Sequence, residues 1–499
     1  MREIEDIYPS ANIIGIDLGT TEVRVARFNE AGKAEITNNI DGTPITPAVI
    51  QLEEDGTVII GSEAKKFLGM GVPNVFAEFK RELGTGKSWI IGSKRITPVD
   101  LTALLLKQVV ADYSDQFGQP MSIVITWPAN FRQEQQAATK EAAEKAGLRS
   151  VHFIEEPTAA ALYYAQDGAL NGKYLICDLS GGTFDVTLCQ AHGIEVRILY
   201  QDGVQQLGSK DIDNALLKVI AAKFRARTGD EFDAIDCNFD KLALESNKHT
   251  LSTRASVQIR LVSGKHGPIA IEVSRDEFEA GISHLVSQAE MACENVLRCG
   301  KDDPAQHVKK SDIKEIFMAG GTSRVPAMQA SVERLFGKKP KVKNPDQAIA
   351  MGAAIYAAHK SSGGTLNSLQ ARAVADIDVS LIAPHFFGTS VMSEDGSGVY
   401  NDTVISKGTK LPCREERTYY TVSDNQTKVN CDVSQSAIEE KNCEFVTKIW
   451  EGSLELPSGR PAGQPIKVIY AYDLNGTMQC SFEDVKTAKV TKVDLKPGN

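Results

Sequence analysis

The chain has 499 residues, of which 42% are hydrophobic and 24% charged, and it carries a formal net charge of −10. That length allows two or three domains with large buried cores, and the composition is ordinary for a globular protein. The acidic balance argues against nucleic acid as the main ligand, because phosphate contacts need clustered cations; the short basic run KKPKVK (Lys338 to Lys343) reads as a solvated turn.

No apolar run approaches the roughly 20 residues that span a bilayer. The opening, MREIEDIYPSANIIGIDLG, has acids where a secretory leader needs bases, so a cytoplasmic protein with no membrane anchor is expected. The nine cysteines (177, 189, 237, 293, 299, 413, 431, 443 and 480) never form C-x-x-C, and the eight histidines never form H-x-x-x-H. Reduced thiols and no zinc centre follow.

In chain order, the apolar run ANII leads into GIDLGTTEVRV from Gly15: a strand ending in Asp17, then a glycine and two threonines. GTGKS (Gly84 to Ser88) imitates a phosphate-binding P-loop, but that motif needs a glycine where Arg81 stands, and no clean strand precedes it. LTALLLKQVVADYSDQF from Leu101 and RQEQQAATKEAAEKAG (Arg132 to Gly147) have helical period, the second closing on a C-cap glycine. MSIVITWP and DIKEIFMAGG read as buried strands. Between them KYLIC leads into DLSGGTFDVT (Asp178 to Thr187), which repeats the first phrase. Strands alternating with helices predict an α/β domain over residues 1–360, with ligand at the strand C-terminal ends.

KSSGGTLNSLQARAVADIDVS is small and polar, and 361–380 reads as a linker. Beyond it the period becomes two: Ile466, Val468, Tyr470 and Tyr472 alternate, the turn LNG follows, and Met478, Cys480 and Phe482 alternate again. KVNCDV and CEFVTKIWEGSLEL repeat the style, so 381–499 reads as a β-sandwich with no helical segment after it.

The repeated phrase carries the chemistry. A tight turn after a strand exposes backbone N–H groups, glycine lets phosphate approach closely, and threonine hydroxyls can donate to the same oxygens. An aspartate just before the turn suits a hydrated Mg²⁺, which keeps its waters and takes few carboxylates. Two such turns predict two related halves gripping one nucleotide from opposite sides. A third glycine pair, in MAGGTSRVP, is placed to approach the adenine or ribose.

The series GIDLGTTEVRVA, FKRELG, VITWPANF, EEPTAAALYY, DLSGGTFDVT, ESNKHTLS, AGGTSRVP and NPDQAIAMGAA, in this order from Ile13 to Ala358, resembles the DnaK-type seventy-kilodalton heat-shock chaperones, and TYYTVSDNQTKV extends the likeness into the β region. The FKRELG region and short tail look closest to a divergent bacterial-type member lacking the family's helical lid. The resemblance implies a duplicated actin-like ATPase domain followed by a β-sandwich peptide-binding domain. It implies an ATP-dependent chaperone that binds extended apolar peptide segments, a slow Mg-dependent ATPase. The alternative is an ATP-binding, weakly hydrolysing scaffold or co-chaperone.

By the same resemblance, Asp17, Gly19, Thr20 and Thr21 form the first phosphate loop, and Gly181, Gly182, Thr183 and Asp185 the second, with Gly208 beside it. Lys80 and Glu156 order the attacking water, with Asp178 and Thr183 completing the catalytic set; Asp17 and Asp178 hold Mg²⁺ through waters. Glu245, Lys248, His249, Ser252, Gly320, Gly321, Thr322, Arg324 and Asp346 form the adenosine pocket. Met392, Tyr419, Val422, Val429 and Cys431 line the peptide groove. ATP or ADP, Mg²⁺ and K⁺ are the implied cofactors, and a J-domain co-chaperone and a nucleotide exchange factor the implied partners. The sequence departs from the family at Ser180, Ser209, Lys210, His249, Gln136, His152, Glu155, Asp378, Ser380 and Thr389.

Overall fold

The structure, a computed structural model, describes residues 12–167, 170–193, 195–239, 242–298, 308–361, 365–393, 396 and 398–495. Cys299 and residues 1–11 lie outside these.

Two sheets repeat one plan. In the first, Ile13–Leu18 lies between the parallel strand Ser122–Trp127 and the antiparallel strand Glu22–Phe28, with Val151–Glu155 and Ala34–Ile36 outermost. In the second, Leu170–Leu179 lies between the parallel strand Ile313–Ala319 and the antiparallel strand Phe184–Gly193, followed by Glu195–Val204. Both central strands are buried along their C-terminal halves, as their unbroken apolar runs require. Each carries an aspartate one residue before its end and turns back through a glycine-rich hairpin. This is the duplicated actin-like fold, and the expected α/β class holds.

Two small-residue helices make the close packing possible. Ala348–Lys360 (AIAMGAAIYAAHK) is buried from Ala348 to Ala358. Its Gly352 sits so close to the helix Glu156–Asp167 that an added Cβ would lie 1.7 Å from the Ala159 carbonyl oxygen. A Cβ on Gly15 of the first central strand would lie 2.2 Å from the Ala354 nitrogen. Backbone meets backbone at both crossings, and no side chain fits between them.

The sandwich has two four-stranded antiparallel sheets. One runs Val399–Ile405, Phe386–Met392, Lys428–Ser436, Thr447–Glu455; the other Cys413–Tyr420, Pro465–Tyr472, Met478–Asp484, Lys489–Leu495. Ile466, Val468, Tyr470 and Tyr472 are buried, as their alternation predicts. The strand signal of CEFVTKIWEGSLEL begins later than its first residues, at Thr447.

Within 361–380, Ser368–Val374 is helical, capped by Asn367 and Gln370 exchanging hydrogen bonds at 2.8 and 3.1 Å. Composition hid this helix, because the Asn367–Gln370 box supplies the start that small polar residues seem to lack. Asp378–Ser380 then adds a parallel fifth strand to the second sheet, opposite Glu195–Arg197. The sandwich rests on the helix Gln133–Lys145: Gln133 donates to the Tyr472 hydroxyl at 2.9 Å and Lys140 to Thr477 at 3.1 Å.

Candidate active site

The two glycine turns face each other. A Cβ on Gly181 would come within 2.7 Å of the Thr21 hydroxyl, and one on Gly182 within 2.6 Å of the Thr20 hydroxyl. Asp17 lies across its hairpin from Arg24, and Asp178 across from Asp185. Thr126, on the neighbouring strand, accepts from the Leu18 amide at 3.3 Å and steadies the first turn.

Lys80 enters from the short 3₁₀ helix Phe79–Glu82. Its ammonium donates to Glu156 at 2.7 Å and also to the Leu18 carbonyl, and the pair is 4% and 1% exposed. Glu156 is held there because it opens the helix Glu156–Asp167, whose small residues allow the helix to lie deep between the sheets. Lys80 is thereby tied to the carboxylate and to the first turn at once. Thr183 is buried at the second turn.

The electrostatics are unbalanced. Asp17, Glu156, Asp178 and Asp185 are all buried. Burial, then the Glu156 charge, pushes Asp17 up to about 7 against the partial relief of Arg24 and Lys80. Burial and Glu156 likewise raise Asp178 and Asp185 well above the carboxylate range. Asp178 Oδ2 and Glu156 Oε2 are buried with no hydrogen-bond partner. Such an excess of desolvated carboxylate calls for a cation. Among the described residues no three His, Cys, Asp or Glu side chains converge tightly enough to cage a metal directly. A hydrated Mg²⁺ fits that donor set, since it needs carboxylates near its waters and not a closed cage.

A cleft of about 650 Å³ opens from the two turns. Asp17, Gly19, Thr20, Thr21 and Gly181 line its phosphate end. At its other end stand Glu245, Lys248, His249 and Ser252, which share one face of the helix Leu242–Thr253 by their spacing. Gly320, Gly321, Thr322, Arg324 and Asp346 close the opposite wall, with Arg324 paired to Asp346 at 2.6 Å. Gly208 packs against the second turn, where an added Cβ would lie 2.5 Å from the Gly182 nitrogen. Most of the residues expected around a nucleotide thus line one cleft, while Gly182, Asp185 and Gly208 lie outside its lining. Arg24, Gln329 and Ile45 also line the cleft and were not anticipated. Arg24 had left a signal, as a charge between buried positions of the strand EVRVARF.

Several departures from the family pattern find partners. The Ser180 hydroxyl donates to Asp178 Oδ1 at 2.8 Å. Ser209 contacts Lys248, which also pairs with Asp213 at 2.9 Å. Lys210 pairs with Glu78, and Arg81 with Asp211 at 2.8 Å, so two ion pairs bridge the halves of the cleft. Lys65 and Glu245 make a third, at 2.8 Å. Glu155, another of the departures, is buried: Thr158 and Gln201 donate to its carboxylate at 3.1 and 3.2 Å, and burial raises it to about 7. GTGKS is a loop in which Lys87 pairs with Glu82 at 2.8 Å, and none of its residues lines the cleft.

In the sandwich, Met392 and Val422 are exposed, while Tyr419 and Val429 are half-buried and Tyr419 donates to Asp402 at 2.7 Å. Cys431 lies in the core behind them. The polar Thr389 is explained by buried Asp432, which accepts from the Thr389 hydroxyl at 3.0 Å and the Ser390 amide at 2.7 Å.

Two facing hairpins over a buried lysine–glutamate pair, with a sandwich docked alongside, define a nucleotide-hydrolysing machine with an attached binding module. A family model described as Hsp70 protein matches residues 13–499. The chaperone protein DnaK of Thermotoga neapolitana is 34% identical, covering 96% of this chain and 79% of the relative; that of Thermotoga maritima is 33% identical with the same coverage. The chain belongs to the Hsp70 family, and with it to the ATP-dependent chaperones, which are ATPases that bind ATP and ADP with Mg²⁺.

Proposed function

We propose that this chain hydrolyses ATP in the cleft between the two hairpins, with Lys80 and Glu156 ordering the attacking water. The buried Lys80–Glu156 pair, anchored to the Leu18 carbonyl, carries this reading. Phosphoryl transfer to water asks the protein for in-line positioning and charge stabilisation more than for covalent work. Glu156 has an unpartnered oxygen to accept a water proton, and Lys80 holds the pair in register with the first turn. The Thr20, Thr21 and Thr183 hydroxyls and the glycine-turn amides receive phosphate oxygens. Asp17 and Asp178 take the waters of Mg²⁺, which when bound screens the phosphate charge. K⁺ acts as a further cation in the same acidic environment. The helix face of Glu245, Lys248, His249 and Ser252 holds the adenosine with the wall from Gly320 to Asp346.

The division of labour follows the proposed domains: 1–360 for ATP, 361–380 connecting, 381–499 for extended apolar peptides at Met392, Tyr419, Val422 and Val429, backed by Cys431. Main-chain pairing to a sheet edge supplies affinity and side-chain pockets supply preference. A J-domain co-chaperone and an exchange factor are the protein partners. Action in the cytoplasm is supported by the eight free cysteines among the described residues. No helix among them is long and apolar enough to cross a membrane.

Single-turnover hydrolysis tests the central claim. Lys80→Ala should keep ATP affinity within a few-fold and slow hydrolysis by ~10²-fold or more, the range for a positioned proton-transfer group. Unchanged turnover would remove Lys80 from the mechanism.

A further inference from the structure

Arg24 brings to the phosphate end of the cleft a cation that the glycine turns themselves do not supply. It follows the first turn on the strand Glu22–Phe28, lies directly across the hairpin from Asp17, and lines the cleft beside Thr20 and Thr21. Strand alternation turns Val23 and Val25 into the core and leaves Glu22 and Arg24 together on the other face. The Arg24 guanidinium donates to Glu22 at 2.8 Å, and its side chain is 12% exposed. It makes no other hydrogen bond among the described residues, and its Nε and Nη1 are open to solvent. A guanidinium carries its N–H donors in a planar fork that suits phosphate oxygens, and most of this fork is unused.

The other cations of the site are committed elsewhere. Lys80 is turned to Glu156 and the Leu18 carbonyl and does not line the cleft. Lys248 is tied to Asp213 at 2.9 Å and Arg324 to Asp346 at 2.6 Å, both at the adenosine end. Two carboxylates on different walls feel the Arg24 charge. Burial and Glu156 raise Asp17, and Arg24 opposes that rise more strongly than Lys80 does. Burial also raises Asp346, yet Arg324, and Arg24 through space, hold it below the usual carboxylate range. A guanidinium within electrostatic reach of both stands on the path from the first turn to the wall carrying Asp346.

We propose that Arg24 binds the phosphate tail of the nucleotide, its free N–H groups donating to non-bridging oxygens, and so sets phosphorylated nucleotides apart from the bare nucleoside. The inference rests on the nucleotide reading of this cleft. Glu22 holds the guanidinium in place beforehand, which lowers the ordering cost of binding. Mg²⁺ when bound screens the phosphate charge, so Arg24 contributes most when the metal is absent. That dependence is the reverse of the one expected for Asp17 and Asp178, which act on the waters of the metal.

Calorimetric titration of the nucleotide-free full chain tests this, with ADP in Mg²⁺, ADP in EDTA, and adenosine, all at constant ionic strength. In EDTA, Arg24→Ala should bind ADP about tenfold more weakly or worse, the loss expected for a charge-assisted hydrogen bond. The loss should be smaller with Mg²⁺, and adenosine should bind within about twofold of the wild type. Arg24→Gln, which keeps a donor for Glu22 but no charge, should behave in the same way and decides the matter if the alanine variant does not fold. Unchanged ADP affinity in the variants would overturn the proposal. Equal weakening of ADP and adenosine would also overturn it and leave Arg24 a support of the first turn. A wild type that binds neither ligand would overturn the nucleotide reading and the inference with it, whereas failure of the inference alone shows only in the variants.

Discussion

At the scale of single residues, the aspartates of the two turns act on charge that the protein does not neutralise by itself. Asp17→Asn and Asp178→Asn should each weaken Mg-ATP binding more than Mg-free nucleotide binding, measured by fluorescent-nucleotide titration with and without EDTA. Equal losses would give the carboxylates a structural role. The raised pKa of Asp17 has its own consequence. Moving it from 3.8 to about 7 means that the cation-free fold is favoured when this carboxyl is protonated. That stabilising contribution is complete below its unfolded value and is lost as pH rises towards 7. Mg-nucleotide binding, which favours the ionised form, should therefore release protons between pH 5 and about 8. Calorimetry in two buffers of different ionisation enthalpy measures the release; identical heats would place Asp17 in its ionised form beforehand. At this scale the sequence was informative where chemistry recurs in order, as with Asp17 and Asp178. It was silent on Thr126, whose role depends on what lies opposite it in space.

Among secondary-structure elements, the hairpins and the sandwich strands were legible because buried runs and period-two alternation are local signals. The helix Ser368–Val374 was not, because seven residues of mixed polarity carry little periodicity and only its cap identifies it. The crossing of Ala348–Lys360 over the central strand was also invisible, although the small residues that permit it stood in plain view. Its stability consequence is specific. Gly352→Val would force a side chain onto the Ala159 carbonyl, and overpacking of this kind costs about 3 kcal/mol or more when backbone must move. Urea denaturation of the variant should show that loss, and a change below ~0.5 kcal/mol, the range of ordinary surface substitutions, would mean that the helices separate freely.

Across the whole molecule, the two glycine turns and the sandwich are joined through one continuous set of contacts. The second central strand carries Asp178 just before its end, its sheet extends to Asp378–Ser380, and the chain then enters the sandwich. Gln133 and Lys140 hold the sandwich from the opposite side. Peptide binding reads out the far end. A labelled apolar heptapeptide should bind in fluorescence anisotropy, and Val429→Asp should weaken it at least tenfold, because an uncompensated charge placed against the core must be desolvated. If no binding appears while the sandwich is folded, the groove assignment fails; if binding ignores ATP, the two ends are uncoupled.

The fifth strand of the second sheet has an implication for colloidal behaviour. Whenever Asp378–Ser380 peels away, the neighbouring segment Glu195–Arg197 becomes a bare sheet margin with unsatisfied amides, the usual template for intermolecular strand pairing. Glu195 and Arg197 put exposed charges of opposite sign on that margin, while Val196 between them points inward. These charges act as gatekeepers against recruitment of apolar strands from other molecules. Replacing both with valine should leave the docked monomer intact but make the chain self-associate under conditions that release the linker, visible as concentration-dependent light scattering; a variant that stays monomeric would show that the margin is shielded by other means.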